Sequence, residues 1–386
     1  MFGLKASSQL FKSLDSLQYG SLALTTPDGQ VRIFEGKQPG IKAKMEMHDW
    51  RVVTNLAARG DVGFAEDYRQ GYWETNNLPN LIALGLQNDQ AFRRFVFGSR
   101  IFQTFSRLTY LFRLNTLQGS KRNIHAHYDL GNEFYKLWLD PTMTYSSGLY
   151  LNKTDDLEKA QNNKYDRLLN KLDQKSGSLL EIGCGWGGFA ERAANHGDFD
   201  IKGITLSEEQ HHYATSRLGS RAQIALEDYR HQQGKFDHIV SIEMFEAVGE
   251  RYWSTYFDKV KSLLNKDGKA MIQTITIDDS RFERYRRGGD VIRSYIFPGG
   301  MLPSPSKFRQ EAAKSGLVVN EEFHFGQDYA RTLEEWLHHF DSQRNNIKAQ
   351  GFDDSFIRLW RFYLAACIAG FSTGRTSVMH AELRHA

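Results

Sequence analysis

The run from Glu181 to Gly188, EIGCGWGG, constrains the fold of this chain more than any other stretch of its sequence. It follows two leucines that suit a buried strand and precedes a helix-like segment, residues 189–194. Strand, glycine turn and helix in this order are typical of the ligand-binding turn of a doubly wound α/β sheet, because glycine lets the backbone approach a ligand closely. The run lacks the Gly-Lys-Ser/Thr ending of a P-loop and differs from the G-x-G-x-x-G pattern of dinucleotide sites. The alternative is a glycine-rich turn that binds no ligand.

The segments that follow residue 176 alternate between strand-like and helix-like patterns. The predicted strands are residues 178–182, 201–206, 222–226, 236–242, 269–277 and 317–325. This alternation predicts a mostly parallel sheet with helices on both faces. The last of these strands is expected to begin a terminal antiparallel pair. In such sheets the ligand binds at the carboxyl ends of the strands, near the turn that follows the first strand.

The amino-terminal part of the chain, residues 1–90, is predicted to form a small α+β domain. Its clearest element is a hairpin in which residues 21–25 and 31–34 flank the turn sequence Pro27 to Gly29, PDG. Proline, aspartate and glycine are the residues that tight turns favour. Residues 119–386 are expected to form the larger α/β domain.

Residues 91–118 are predicted to form a helical linker between these two domains. Arg93, Arg100 and Arg107 are spaced seven apart and therefore share one side of the helix, next to an apolar stripe. One interpretation is a basic amphipathic helix at an anionic membrane surface. The other interpretation is a buried interdomain helix whose arginines are solvated.

Composition limits the classes of function. The chain has 49 basic and 46 acidic residues and a net charge of +3, which excludes a broadly basic nucleic-acid binder and leaves a local basic patch open. Its two cysteines, Cys184 and Cys367, form no disulfide framework, so a reducing cytosol is the simpler interpretation, although a single disulfide stays open. The amino terminus lacks the apolar core of a signal peptide, and no run reaches the roughly 18 apolar residues that span a bilayer. We therefore expect a protein that is soluble or peripheral to a membrane.

The E-x-G-x-G-x-G pattern resembles the first motif of Rossmann-type S-adenosylmethionine (SAM) methyltransferases. If this motif holds the cofactor, the end of the next predicted strand meets its ribose. That position carries no acidic residue, so Thr205, Ser207 and Gln210 are the candidates for hydrogen bonding to the ribose. Ser207 also suits the N-cap of the following helix, and both roles are compatible.

Asp228 and Tyr229 follow the third predicted strand, where the adenine amino group needs an acceptor. A metal site formed by His125, His127 and Asp129 is conceivable, but no other ligand cluster supports it and closely spaced His pairs are common at helix caps. We therefore expect no metal. The predicted cofactor-binding residues of the glycine motif are Glu181, Gly183, Cys184, Gly185, Trp186, Gly187 and Gly188.

Seven motifs occur in an order that is similar to that of a known family. They are HYDLGN from His127, DPTMTYS from Asp140, the glycine motif from Glu181, TLS from Thr205, MFEAVG from Met244, YIFPGG from Tyr295 and DYARTL from Asp328. Over residues 120–370 this series resembles the cyclopropane-fatty-acid synthase family, which includes the mycolic acid methyltransferases. Residues 63–74 and the preceding hairpin resemble the amino-terminal domain of the bacterial synthases.

The resemblance implies a Rossmann-like, seven-stranded class I methyltransferase domain with a smaller amino-terminal α+β domain. It implies transfer of the SAM methyl group to a cis double bond in a phospholipid acyl chain, followed by proton loss and closure to a cyclopropane. The implied proton acceptor is a bicarbonate ion held beside the methyl group. The implied setting is cytoplasmic, with a homodimer bound peripherally at the inner face of the membrane and no nucleic-acid partner.

The resemblance also assigns roles to single residues of the anion site. Glu246 and Tyr329 are expected to help hold the bicarbonate. Ile275 and Ser147 are expected to offer it their backbone N–H groups.

Other roles concern the cofactor and its surroundings. Tyr128, Tyr145 and Ser146 are expected to line the cofactor. Cys367 matches a cysteine near the active site of the family, whereas the alternative is a small buried hydrophobe on a helix, the more common fate of a thiol.

Two residues depart from the pattern of the family. Ser147 stands where the family usually has a cysteine, and Gln273 stands where it usually has a histidine. The first change is mild if only the backbone N–H binds the anion. Gln273 can donate a hydrogen bond but carries no charge, which weakens a bond to an anion. The carbocation could then lose a different proton and leave a methylated, still unsaturated chain. A non-catalytic lipid-binding relative is a third interpretation, against which the intact glycine motif speaks.

Overall fold

The computed structural model describes residues 2–96 and 130–386. Tyr128, the residues considered for a metal site and most of the predicted linker, 91–118, lie outside this part of the chain. The chain divides into two compact units. The first comprises residues 1–112, 287–296 and 341–374, and the second comprises residues 113–286, 297–340 and 375–386.

The elements are numbered here in chain order over the described residues. The strands are Tyr19–Thr25 (β1), Val31–Glu35 (β2), Gln38–Met47 (β3), Trp73–Glu74 (β4), Ser176–Ile182 (β5), Asp198–Thr205 (β6), Gln223–Leu226 (β7), Phe236–Ile242 (β8), Leu264–Ile277 (β9), Leu317–His324 (β10) and Thr376–His385 (β11). The helices are Phe2–Leu14 (α1), Arg51–Arg69 (α2), Leu78–Gln87 (α3), Asp89–Val96 (α4), Asn132–Lys136 (α5), Leu157–Asn170 (α6), Gly188–His196 (α7), Glu208–Leu218 (α8), Trp253–Leu263 (α9), Asp279–Arg287 (α10), Pro305–Lys314 (α11), Gly326–Ser342 (α12), Arg344–Ala349 (α13) and Asp354–Ser372 (α14). None of these helices is both long and apolar enough to cross a membrane.

The first unit is built on a four-stranded sheet in the order β2-β1-β3-β4. The predicted hairpin is present, since β1 and β2 pair antiparallel. Its turn closes with the N–H of Gly29 donating to the carbonyl of Thr26 at 2.8 Å. Gly29 has a φ of +80°, a conformation that glycine adopts without the strain of a side chain.

The first unit also takes in two later segments of the chain. Phe362 and Ala365 of α14, together with Val291, belong to the same buried core as Leu10 of α1 and Trp73 of β4. The sequence analysis assigned these later segments to the larger domain, because the pattern of a single amphipathic helix does not reveal the distant surface on which it packs. Long-range burial of apolar surface therefore determines this division of the chain.

The second unit contains a seven-stranded sheet in the order β10-β11-β9-β8-β5-β6-β7. The pairs from β7 to β9 are parallel. β11 pairs antiparallel with both β9 and β10. The predicted class I methyltransferase architecture, with its terminal antiparallel pair, is thus confirmed. Predicted strand 236–242 coincides with β8.

The parallel strands are held together by apolar side chains that suit a doubly covered sheet. Leu179 of β5, Ile201 of β6 and Val240 of β8 are buried in one cluster with Leu168 of α6 and Phe189 of α7. This packing brings the carboxyl ends of β5, β6 and β8 to the same edge of the sheet, where a ligand is expected to bind.

In the first unit, we predict that Asn88→Ala lowers the free energy of unfolding by about 3 kcal/mol. Asn88 is 2% exposed. Its Oδ1 accepts from the N–H groups of Gln18 and Tyr19 at 2.8 and 3.0 Å, and its Nδ2 donates to the carbonyls of Tyr19 and Leu84, both at 2.9 Å. Alanine removes all of these bonds. Denaturant unfolding followed by circular dichroism measures the change, with the exposed Asn346→Ala in the same unit as the control. Equal stability of the two variants would contradict the prediction.

Candidate active site

The glycine motif forms the turn between β5 and α7. Gly183, Gly185 and Gly187 all have positive φ values, of 83°, 53° and 84°. A Cβ at Gly183 would lie 3.0 Å from Cγ of Met244, so a side chain there would have to displace Met244. The N–H groups of Gly183 and Cys184 both donate to the carbonyl of Ile204, which fixes the turn against β6. The predicted motif is therefore a rigid backbone cradle.

A pocket lies at the carboxyl ends of β5, β6 and β8, next to this turn. The space inside it, counting solvent at its open mouth, is about 1140 Å³. Its lining includes the following residues predicted to bind the cofactor: Tyr145, Ser146, Glu181, Gly183, Cys184, Gly185, Trp186, Gly188, Thr205, Gln210, Asp228 and Tyr229. The structure thus brings together residues that are far apart in the sequence.

Two predicted cofactor residues within the described range, Gly187 and Ser207, have structural roles beside the pocket. Gly187 is the left-handed N-cap of α7. A Cβ there would lie 3.2 Å from that of Ala214 in α8, so this glycine permits close packing of the two helices. Ser207 is the N-cap of α8 and accepts from the N–H of Gln210 at 3.3 Å. The N-cap role considered for Ser207 is confirmed.

Thr205 and Gln210 line the pocket and bind each other. Oγ1 of Thr205 donates to Oε1 of Gln210 at 2.8 Å and accepts from the N–H of Ser207 at 3.2 Å. Both residues are buried. These contacts orient the Gln210 amide, whose Nε2 is its donor to a ligand.

Asp228 is held by an arginine that the sequence analysis did not single out. Nε and one terminal nitrogen of Arg230 donate to the two oxygens of Asp228 at 2.8 and 2.6 Å. Burial raises the pKa of Asp228, but the Arg230 hydrogen bonds outweigh it, and the net pKa is lowered. An ionised, oriented acceptor at this position suits an adenine amino group.

Glu181 is 2% exposed and has one orphaned oxygen. Among the described residues, no group hydrogen-bonds to its Oε2. Burial raises the pKa of Glu181 well above its usual range, while Lys164 and Arg217 oppose the shift. A buried acceptor without a partner is costly, so this oxygen is suited to a cationic group of a ligand.

A buried lysine holds Ser146, one of the residues that line the pocket. Lys164 of α6 is fully buried, and its Nζ donates to Oγ of Ser146 and Oε1 of Gln161, both at 2.7 Å. Burial lowers the pKa of Lys164 to about 7, although the carboxylates of Glu243, Asp140 and Glu181 oppose the shift. The hydrogen bond from Lys164 thus fixes the position of the Ser146 side chain. No local sequence pattern reveals this contact, because the two residues lie in different elements.

Three of the residues predicted for the anion site converge on Glu243, which directly follows β8. Oε1 of Glu243 accepts from the Ser147 N–H at 2.9 Å and from Nε2 of Gln273 at 2.7 Å. Its Oε2 accepts from the Tyr329 hydroxyl at 2.6 Å. Glu243 also lines the pocket. The family resemblance had pointed to Glu246 for this site and had not singled out Glu243.

Glu246 lies one turn further along the chain and has different partners. Its Oε1 accepts a hydrogen bond from the Ile275 N–H. The same oxygen accepts a second bond from Oγ1 of Thr274, at 3.0 Å. Its Oε2 is buried and has no hydrogen-bond partner among the described residues. Burial, and then the negative charge of Glu243, raise the pKa of Glu246 to about 8. The residues expected around one anion therefore divide between two carboxylates: Ile275 contacts Glu246, whereas Ser147, Gln273 and Tyr329 contact Glu243.

A chain of hydrogen bonds orients Gln273 from behind the site. Arg167 can only donate, so its bond to Nδ1 of His380, at 3.0 Å, leaves that nitrogen unprotonated. Burial, helped by Arg167 and Lys164, lowers the pKa of His380 well below its usual range, so its proton is on Nε2. Nε2 then donates to Oε1 of Gln273 at 2.7 Å. The amide nitrogen of Gln273 is thereby directed at Glu243.

Cys367 lies in α14 of the first unit. Its expected proximity to the active site stays a prediction. Tyr128 lies outside the described residues, so its expected contact with the cofactor also stays a prediction.

We predict that Glu181→Gln weakens binding of S-adenosylhomocysteine at least tenfold, roughly the value of a lost charge-assisted hydrogen bond. The amide is isosteric, but its nitrogen cannot accept a bond from the ligand's ammonium group. Isothermal titration calorimetry measures the affinity, and circular dichroism checks the fold. Glu208→Gln, an exposed change on α8, is the matched control. An unchanged affinity would place the ammonium group elsewhere.

Comparison with known proteins identifies the family. The sequence profile of the family described as mycolic acid cyclopropane synthetase matches residues 115–381. Tuberculostearic acid methyltransferase UfaA1 of Mycobacterium tuberculosis is 35% identical over 346 residues, which are 85% of this chain and 79% of that protein. Cyclopropane-fatty-acyl-phospholipid synthase of Escherichia coli is 36% identical over 323 residues, covering 81% of this chain and 80% of that protein.

A solved structure agrees with these sequence relatives. Mycolic acid cyclopropane synthase CmaA1, complexed with SAH and CTAB, superposes with a TM-score of 0.64 at 30% sequence identity. The match covers 68% of this chain and 97% of that one. The glycine cradle and the pocket beside it thus occur in a chain that belongs to the mycolic acid cyclopropane synthetase family of SAM-dependent methyltransferases.

Proposed function

We propose that this protein transfers a methyl group from SAM to the carbon–carbon double bond of an unsaturated acyl chain in a phospholipid. Membership of the family supports SAM-dependent modification of lipid acyl chains. The name of the E. coli relative specifies a fatty-acyl-phospholipid. The observation that carries the proposal is that the pocket beside the glycine cradle is also lined by Glu243, an acid suited to the proton loss that must follow methyl transfer.

The residues of the pocket fit SAM. The orphaned Oε2 of Glu181 would accept from its ammonium group, and the turn beside it contains Gly183 and Gly185, whose positive φ values favour glycine and which have no side chain to obstruct a ligand. Asp228, oriented by Arg230, would accept from the adenine. When bound, SAM supplies an electrophilic methyl group attached to a positively charged sulfur.

Aromatic rings next to the pocket are suited to a reaction that passes through a carbocation. Tyr145 lines the pocket and packs against Trp336 and Tyr135, with ring centroids 5.3 and 5.5 Å apart. Tyr329 in turn lies 6.1 Å from Trp336. The π faces of such rings stabilise positive charge without acting as nucleophiles, and their bulk excludes water that would trap the cation.

The fate of the proton decides the product. The methyl group bonds to one alkene carbon and leaves a positive charge on the other. Loss of a proton from the new methyl group closes a cyclopropane ring. Loss from a neighbouring chain carbon leaves a methylated, unsaturated chain, and the neutral Gln273 in the acid site is the observation that keeps this second product open.

A phospholipid substrate requires that the enzyme reach a membrane. We therefore propose peripheral association at the cytoplasmic, inner face, in line with the predicted basic linker, 91–118. We also propose a homodimer, as the resemblance to the bacterial synthases implies. These features depend on the family and not on the geometry of the pocket.

We predict that bacteria lacking their own synthase, when they express this chain and grow on methyl-labelled methionine, accumulate phospholipids with one labelled CH₂ unit added to unsaturated chains. Mass spectrometry of the lipids measures the addition. Ozone cleavage then separates a ring, which resists it, from a surviving double bond, which does not.

The matched control is the same strain carrying Glu181→Gln, which is expected to lose most of the labelled lipid because cofactor binding is weakened. Absence of labelled lipid, while the purified protein still binds SAM, would point to another methyl acceptor. Absence of both would favour the non-catalytic, lipid-binding interpretation.

A further inference from the structure

The resemblance to the synthases implies a bicarbonate ion as proton acceptor, and the donors expected to hold such an ion can be followed in this structure. Ser147 offers one backbone hydrogen and Tyr329 one hydroxyl hydrogen. Both are directed at Glu243, at 2.9 and 2.6 Å. The amide of Gln273 completes the set at 2.7 Å. These donors therefore already hold a carboxylate that belongs to the chain.

A bicarbonate ion does not fit beside this arrangement. It would compete with Glu243 for the Ser147 N–H and the Tyr329 hydroxyl, each of which has a single hydrogen that Glu243 already accepts. It would also add a second negative charge next to the partly buried carboxylate of Glu243, and like charges in such a site repel strongly. The donor set is thus complementary to one anion, and the Glu243 side chain occupies it.

The backbone at Glu243 is held in an unusual conformation that delivers the carboxylate to these donors. Its φ is +50°, a left-handed value that costs a non-glycine residue about 1 kcal/mol or more. Its N–H donates to the carbonyl of Gln273 at 2.8 Å, which fixes the residue at the end of β8. Strain of this kind persists where surrounding contacts determine it and is concentrated at functional sites.

The second layer of contacts also serves the carboxylate. His380 holds the Gln273 amide in the orientation that donates to Glu243, and Arg167 fixes the tautomer of His380. On the opposite side, the Gly148 N–H donates to Oγ1 of Thr332 at 3.0 Å, which ties the loop carrying Ser147 to α12, the helix that carries Tyr329. The donors are therefore preorganised around Glu243.

We infer that the carboxylate of Glu243 takes the place of bicarbonate and is the base that accepts the proton in methyl transfer, so that the enzyme needs no external anion. This inference rests on the proposed function. It identifies Glu243 as a catalytic residue, and Gln273, His380 and Tyr329 as residues that position it.

The step balances within the enzyme and its substrates. The carbon–sulfur bond of the sulfonium breaks and leaves its electron pair on sulfur, while the alkene π electrons form the new carbon–carbon bond. The electron pair of the C–H bond that then breaks neutralises the cation, as a ring bond or a new double bond. The proton passes to an oxygen of Glu243, which later releases it to solvent.

Geometry separates Glu243 from Glu246 as the base. Glu243 lines the pocket, whereas Glu246 is not among the described residues that line it. Burial raises the pKa of Glu243 above its usual range, against the hydrogen bonds from Tyr329 and Ser147, which favour the ionised form. A raised pKa strengthens a carboxylate as a base near neutral pH. Glu246, with a pKa near 8, is suited to hold a proton and leave the negative charge on Glu243.

The experiment uses the purified chain of 386 residues, methyl-labelled SAM and vesicles of phosphatidylglycerol with monounsaturated chains, in buffer freed of carbon dioxide. We predict that the wild-type rate does not change when bicarbonate is added. Glu243→Gly is expected to lose about 100-fold in rate, the usual contribution of a general base. It is expected to regain activity with bicarbonate, because glycine tolerates the positive φ and leaves the three donors facing a space of carboxylate size.

Two variants sharpen the test. Glu243→Gln fills the same space with a neutral amide, so its loss is expected to persist when bicarbonate is added. Glu246→Gln mimics the protonated acid and is expected to retain more activity than Glu243→Gln. Affinity for S-adenosylhomocysteine confirms in each case that the pocket is intact.

The inference would be overturned by a wild-type enzyme that methylates lipid only when bicarbonate is present, a result that does not depend on any variant folding. Full activity of Glu243→Gln would overturn it as well. Failure of the wild-type protein to methylate the vesicles at any bicarbonate concentration would instead refute the proposed function, and the inference with it.

Discussion

An ionised carboxylate at the edge of a protein core is stabilised by hydrogen bonds to both of its oxygens, because burial penalises a charge that lacks them. Glu243 receives such bonds from donors in three separate parts of the second unit: the loop at Ser147, strand β9 at Gln273 and helix α12 at Tyr329. The position of each of these parts is therefore coupled to a single side chain. The pocket wall beside the glycine cradle depends on that coupling.

A buried lysine lies among the carboxyl groups near Glu243. Lys164 is fully buried near Glu243 and Glu181. The two carboxylates raise the pKa of Lys164, and Lys164 lowers the pKa of each carboxyl group, so every member favours the charged form of its neighbours. Burial acts in the opposite direction on all three pKa values. Separate removal of one member would leave an uncompensated buried charge, which is strongly destabilising. A ligand with its own positive charge, such as SAM, enters a site whose orphaned oxygen on Glu181 and ionised Asp228 already favour it.

Local pattern was enough to predict the glycine turn and strand β8, since each depends on a short motif. Ser147, Gln273 and Tyr329 were grouped by resemblance to a family, and their catalytic roles stay predictions. Local pattern did not distinguish Glu243 from Glu246, because both follow the same strand and the choice is made by a positive φ and by donors from distant segments. The link from Arg167 through His380 to Gln273 spans 213 and 107 residues of sequence separation, so no window of sequence contains it. The joining of residues 341–374 to the first unit was missed for the same reason, since it depends on which surface buries α14.

A base that is part of the chain differs physically from one that must diffuse in. Binding a free ion loses translational and rotational freedom in every catalytic cycle, whereas a side chain held by three donors has lost that freedom on folding. The backbone strain at Glu243 then accompanies the fixing of the base before the substrate binds. The free energy of folding offsets this strain, so substrate binding does not have to. A fixed base also has a fixed direction toward the cation. Its choice between a methyl hydrogen and a chain hydrogen is therefore decided by how the acyl chain lies against Glu243, so the product, ring or branched alkene, would be determined by the shape of the lipid site and not by the strength of the base.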